Sequence, residues 1–235
     1  MDREDCGTLH AARIACLVGL PELSLTWAQK GDQCGRPDIR LAILGDSYEA
    51  LGDFQAAADR WSQWPPLAIQ RASQLVAREN YQQAEPLLQA LVQQPSFADL
   101  STDQRFRAYE QLGLSRYELG DYARAAPVLN QAVQLRPERT DLLVWQGMAM
   151  RETGRLEEAR AVLGQAVGEI PASRPQLRNW ALEQLGLTLE EQGDLVTARE
   201  AYREALQLVE DIPGYSPGRL AWFRERMAAL DALLD

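Results

Sequence analysis

Residues 112–129 read LGLSRYELGDYARAAPVL, and the same arrangement returns three more times along the chain. Residues 44–61 read LGDSYEALGDFQAAADRW, residues 146–163 QGMAMRETGRLEEARAVL, and residues 185–202 LGLTLEEQGDLVTAREAY. A degenerate copy, SQLVARENYQQAEPLL, occupies residues 73–88. The turn position of each copy falls at Gly52, Glu79, Gly120, Gly154 and Gly193, in steps of 27, 41, 34 and 39 residues. The first two steps span 68, twice 34, and so form one displaced hairpin. A fainter sixth copy places its turn at Gly19, 33 residues before Gly52. A fixed period of this size marks a chain of stacked helical hairpins.

Each recurring residue has a physical cause. Gly45, Gly113, Gly147 and Gly186 sit mid-helix, where Gly costs about 1 kcal/mol against Ala. That cost is tolerated best where a partner helix approaches closely, and Ala57, Ala84, Ala125, Ala159 and Ala198 are the expected contacts. The turn Gly accepts the left-handed conformation that ends a first helix, and the Asp after it can cap the second. Phe54, Trp61, Tyr81, Leu88, Tyr122, Leu129, Leu163 and Tyr202 recur at helical spacing to fill the space between hairpins. Pro95, Pro137 and Pro171 close units.

With these marks the chain resembles the tetratricopeptide repeat (TPR) family, whose unit is a 34-residue helix–turn–helix. The resemblance implies an all-α fold: a right-handed α-solenoid of about six hairpins with a C-terminal capping helix, stabilised by stacking. The expected organisation is a single array over 1–235, with a degenerate first hairpin at about 5–37. Repeats follow at 38–64, 65–98, 106–139, 140–173 and 179–212, and the capping helix at 216–235.

Departures from the pattern carry expectations of their own. Glu79-Asn80 replaces Gly-Asp, with Asn80 expected to take the left-handed turn. Pro65-Pro66 after Trp61 and Trp64 ends one helix and starts the next, giving the short step. Residues 96–103 are the compensating insertion, expected as an exposed loop. Ser216-Pro217 opens the last helix, whose stripe of Leu220, Phe223, Met227, Leu230 and Leu234 is expected to cover the end of the array, the alternative being an amphipathic helix that binds a partner.

Thirty-four acidic against 24 basic residues give a net charge of −10, which disfavours a nucleic-acid surface. Eight of the acids against two Arg fall in residues 179–211, a solvated face or a seat for a basic segment. Cys6, Cys16 and Cys34 match no zinc spacing. They read as small buried residues of a reduced compartment, or as a disulfide from Cys34 to Cys6 or Cys16. The acidic start lacks the basic head of a signal peptide, and apolar runs such as 14–20 are too short to span a membrane. The expected location is cytoplasmic, or periplasmic or extracytoplasmic if the chain is a piece of an exported protein.

Phosphate loops, dinucleotide fingerprints, nucleophile elbows and zinc-protease motifs are all missing from the sequence. Cys6 and His10, one helical turn apart, are the nearest approach to a thiol–imidazole pair, and a structural or solvated His10 is the plainer reading. The expectation is no enzyme, no cofactor and no metal. In the family the first helices line a concave groove. The register assigns to it Arg107, Glu110, Leu114 and Tyr117, then Val144, Met148 and Arg151 with Trp145 one step off register, then Trp180, Glu183, Leu187 and Glu190. Trp145 and Trp180 equally suit packing between helices. The apolar members form a strip bordered by charge, with residue types enriched at interfaces. The equivalent positions Asp46, Ser73, Leu114, Met148 and Leu187 lack the basic clamp of chaperone co-factors that grip a carboxylate. The reading is therefore a non-catalytic protein–protein interaction module, a scaffold, adaptor or assembly factor that binds a peptide or helix. The alternative is an accessory domain of a larger enzyme or membrane protein.

Overall fold

The computed structural model describes residues 3–234, over which thirteen α-helices and two short 3₁₀ turns occur and no strand. The chain divides into two units, 1–119 and 120–235. The first contains α1 (Arg3–Leu17), α2 (Pro21–Lys30), a 3₁₀ turn (Gly31–Cys34), α3 (Pro37–Ala50), α4 (Phe54–Ser62), α5 (Pro65–Ala77) and α6 (Tyr81–Val92). A second 3₁₀ turn (Pro95–Asp99) and α7 (Thr102–Glu118) complete it. The second unit contains α8 (Tyr122–Leu135), α9 (Thr140–Glu152), α10 (Leu156–Glu169), α11 (Pro175–Glu191), α12 (Leu195–Val209) and α13 (Pro217–Leu234). Within the first unit α1 pairs with α2, α3 with α4 and α5 with α6, and first helices also meet in sequence, α1 on α3 and α5 on α7. Within the second, α9 pairs with α10, α11 with α12, and α9 meets α11.

The turn chemistry follows the residues. Gly52 and Gly193 take φ of 80° and 81°, and the Asp after each caps the next helix. Asp53 accepts from the Ala56 N–H at 3.0 Å, satisfying a donor that the helix itself leaves open. The third hairpin differs from expectation: Glu79, not Asn80, is left-handed (φ 57°), and Asn80 stands at the N-cap with φ −87°. The turn keeps its geometry because the left-handed position is fixed by its place after the helix, whichever residue occupies it.

Three of the mid-helix glycines lie closest to a large residue. A Cβ on Gly45 would stand 2.1 Å from Trp61 Nε1, on Gly147 2.5 Å from Leu163 Cγ, and on Gly186 2.5 Å from Tyr202 Cε1. The close approach is therefore to the large residue four positions beyond the expected Ala. We expect Gly147→Ala to destabilise the protein despite the helix propensity it gains. Overpacking costs about 1–3 kcal/mol against about 1 kcal/mol of propensity, and a lowered thermal midpoint is the check.

Residues 96–103 are not a simple exposed loop. Phe97 is buried and meets Tyr109 edge-on at 5.2 Å, pinning the insertion onto α7. In α13, Phe223 and Leu230 are buried with Leu182, Leu189 and Tyr202, whereas Leu234 is exposed, so the stripe ends a turn earlier than expected. Tyr215 Oη donates to Asn179 Oδ1 at 2.9 Å, Arg219 pairs with Glu183, and Arg226 Nε donates to Glu190 at 2.8 Å. Each link spans 36 residues, close to one repeat, so α13 contacts α11 in the manner of a following first helix.

The cysteines are not three free thiols. Cys6 and Cys34 form a disulfide and Cys16 remains free. Cys6 is thereby excluded from any thiol–imidazole pair with His10.

Candidate partner-binding site

In the first unit, α5 and the start of α7 enclose an open cavity of about 850 Å3. From α5 come Pro66, Ile69, Gln70, Ser73, Gln74 and Ala77, and from α7 Ser101, Asp103, Gln104 and Arg107. Three- and four-residue steps place the α5 residues on one helical face. On the α7 side the geometry is set by a capping box. Ser101 Oγ accepts from the Gln104 N–H at 3.3 Å, and Gln104 Oε1 accepts from the Ser101 N–H at 3.1 Å. Deeper in, Gln111 Nε2 donates to Ser73 Oγ at 2.7 Å, joining α7 to α5. Ile69 is buried beneath exposed Gln70 and Gln74, so the cavity has an apolar base and an amide rim. Amides offer donors and acceptors together, the pairing that a peptide backbone presents.

Of the residues assigned to the groove from sequence, Arg107 lines this cavity. Leu114 and Tyr117 lie farther along α7, both half-buried and outside the lining. Gln70, Gln74 and Gln104 were not anticipated; their signal was amide spacing on first helices beside an insertion.

The second unit gathers another set on α9 and α11. The Trp145 and Trp180 rings meet edge-on at 5.2 Å, so the two tryptophans bridge successive first helices. Met148 and Trp180 pack on the cluster of Leu143, Leu163 and Ala181. Arg151 Nη1 donates to Gln184 Oε1 at 3.1 Å, and its Nε lies 3.5 Å from Glu191. Leu187 is half-buried on the same helix as Trp180. Val144 is a correction: it is wholly buried against Leu163 and Ala166 and offers no surface to a partner. Glu183 and Glu190 are corrections too, because Arg219 and Arg226 of α13 hold them. Burial raises the Glu183 carboxyl above its ordinary range, with Arg219 opposing.

The acidic run of 179–211 is likewise committed internally. Glu183, Glu190, Glu191, Asp194 and Glu204 each pair with an Arg of a neighbouring element. That leaves little net field for a basic segment to meet. No helix among the described residues is long and apolar enough to cross a membrane.

Two family models described as tetratricopeptide repeat match residues 110–174 and 181–211. Among curated proteins none matches the chain. Among solved structures, YrrB, described as a TPR protein with an unusual peptide-binding site, is 18% identical at a TM-score of 0.50. The match covers 87% of this chain and 86% of YrrB. A structure of MamA is 18% identical at a TM-score of 0.55, covering 73% of this chain and 98% of MamA. These likenesses speak to the fold, and the repeat matches to the family. With its glycine-pinned hairpins and Asp-capped second helices, the chain carries tetratricopeptide repeats at residues 110–174 and 181–211.

Proposed function

We propose that this chain is a protein-interaction module, without turnover of its own, that seats an extended peptide segment of a partner against its first helices. The observation that carries the reading is the cavity between α5 and α7, about 850 Å3, within the range of ligand-sized sites. Its amide rim suits main-chain hydrogen bonding, and buried Ile69 with exposed Pro66 beside it gives an apolar seat. A peptide-binding site in YrrB, a protein of like fold, adds support. The half-buried Trp145, Met148, Trp180 and Leu187 of the second unit are the residue types that anchor partners. The Cys6–Cys34 bond favours an oxidising compartment over the cytoplasm.

Affinity capture from native lysate with mass spectrometry tests the reading. A partner held by native protein should be lost with Gln70→Ala/Gln74→Ala while helicity stays intact, and kept with Arg203→Ala on an exposed part of α12. Retention by the folded double variant would remove those two residues from the site. Retention by Ile69→Asp/Gln74→Ala as well would remove the groove.

A further inference from the structure

We propose that the Cys6–Cys34 disulfide is a site of thiol–disulfide exchange that latches α1, and that its reaction partner is a dithiol. The bond joins α1 to the 3₁₀ turn that follows α2, across 28 residues. It therefore closes the N-terminal hairpin at the end opposite its turn. Apart from the bond, α1 is held by a short apolar seam and by Ser24 Oγ, which donates to the Ala12 carbonyl at 2.8 Å. The buried apolar residues of α1 are Leu9, Ala12 and Ala15, a single large side chain, while Ile14, Leu17 and Val18 face outward. Leu9 seats against the backbone of Gly31, where a Cβ would stand 2.6 Å from Leu9 Cδ2. The main apolar anchor of α1 thus depends on the turn that the disulfide fastens.

The bond is approachable. Cys6 is half-buried, and both sulfur-bearing residues line a cavity of about 220 Å3 with His10, Arg13 and Arg36. Arg36 is shared with Asp38 at 3.0 Å. Arg13 also lines the neighbouring cavity that holds Cys16. A cationic rim draws in an attacking thiolate and stabilises the one that leaves. Cys16 cannot be that attacker on Cys6 while α1 is helical. Ten residues of helix separate them by about 15 Å, well beyond the ~4.4–6.8 Å Cα separation a disulfide allows. The reductant has to come from outside the chain.

In the exchange, a thiolate of the dithiol bonds to Cys6 Sγ as the Cys6–Cys34 bond breaks, and Cys34 leaves as a thiolate that takes a proton. The second thiol of the reductant then attacks the mixed disulfide and releases Cys6 as a thiol. The reductant ends as a disulfide, having given two electrons and two protons. Release of α1 uncovers Ile43 and Leu44 of α3, which the oxidised hairpin keeps covered.

Hydrogen exchange of the intact protein, oxidised and after treatment with dithiothreitol in native buffer, tests the latch. Amides of α1 should exchange faster after reduction by on the order of several hundredfold, the factor that closing a 28-residue loop contributes. Protection in α9–α12 should be unchanged, and reoxidation should restore α1. Cys6→Ser/Cys34→Ser should match the reduced state, and Cys16→Ser should behave as native protein. Arg13→Ala should slow native-state reduction, because a nearby cation favours the thiolates that attack and leave. Unchanged α1 protection after reduction would overturn the latch. So would a bond that dithiothreitol reduces only under denaturing conditions.

Discussion

Phe223→Ala should lower the stability of the protein in urea by about 3–5 kcal/mol, the cost of emptying a well-packed aromatic site. Phe223 is wholly buried. It lies in the cluster of Leu182, Leu189 and Tyr202, and its ring meets Trp222 at 5.0 Å. Trp222 in turn meets Tyr202 edge-on at 5.5 Å, so removing one ring loosens two others. The loss should appear first in α13, as faster amide exchange there than in α9 and α10. Arg219 and Arg226, each nearly half-exposed, hold the largely buried Glu183 and Glu190 of α11, but those pairs do not fill the space the ring vacates. A change below about 1 kcal/mol, typical of a surface substitution, would mean that α13 is not docked through this ring.

Arg116→Ala should cost a similar amount, for an electrostatic reason. The Arg116 side chain is only 6% exposed and its partner Glu85 18%. Arg116 Nε donates to Glu85 Oε1 at 3.0 Å, and a second nitrogen donates to Gln89, so one guanidinium joins α7 to α6. Removing it strands a largely buried carboxylate, worth about 3–5 kcal/mol. Replacing both members, Arg116→Met with Glu85→Leu, should recover most of the loss because no charge is then left unpaired. Urea denaturation of the two singles and the double closes the cycle. Equal losses in Arg116→Ala and in the double variant would assign the effect to packing instead.

The hairpins were readable from sequence because their marks act locally. A left-handed turn, an Asp cap and a proline at a helix start each depend on a few neighbouring residues, and these stand where the 34-residue period puts them. Contacts between helices were less legible. Gly45 lies nearest Trp61 because the crossing of two helices selects what faces it, and sequence spacing does not specify that crossing. Val144 and Trp145 show the same limit within one helix. One residue rotates a side chain by about 100°, enough to bury Val144 and leave Trp145 half-exposed. Arg116 and the amides Gln70, Gln74 and Gln104 passed as ordinary polar positions. Their roles arise only when α5, α6 and α7 are brought together. The Cys6–Cys34 pairing stood among the open alternatives for the same reason, since it depends on the path of α2 back to α1.

The central claim is that a partner is held by the first helices, and a photo-cross-linking residue placed singly in the native chain tests it most directly. Position 74 faces the cavity between α5 and α7, and position 203 lies exposed on α12, a second helix. After irradiation in native lysate, the partner should be covalently joined to the position-74 protein and not to the position-203 protein. Excess native protein should compete that product away. A partner joined equally at both positions, or only at 203, would contradict the account.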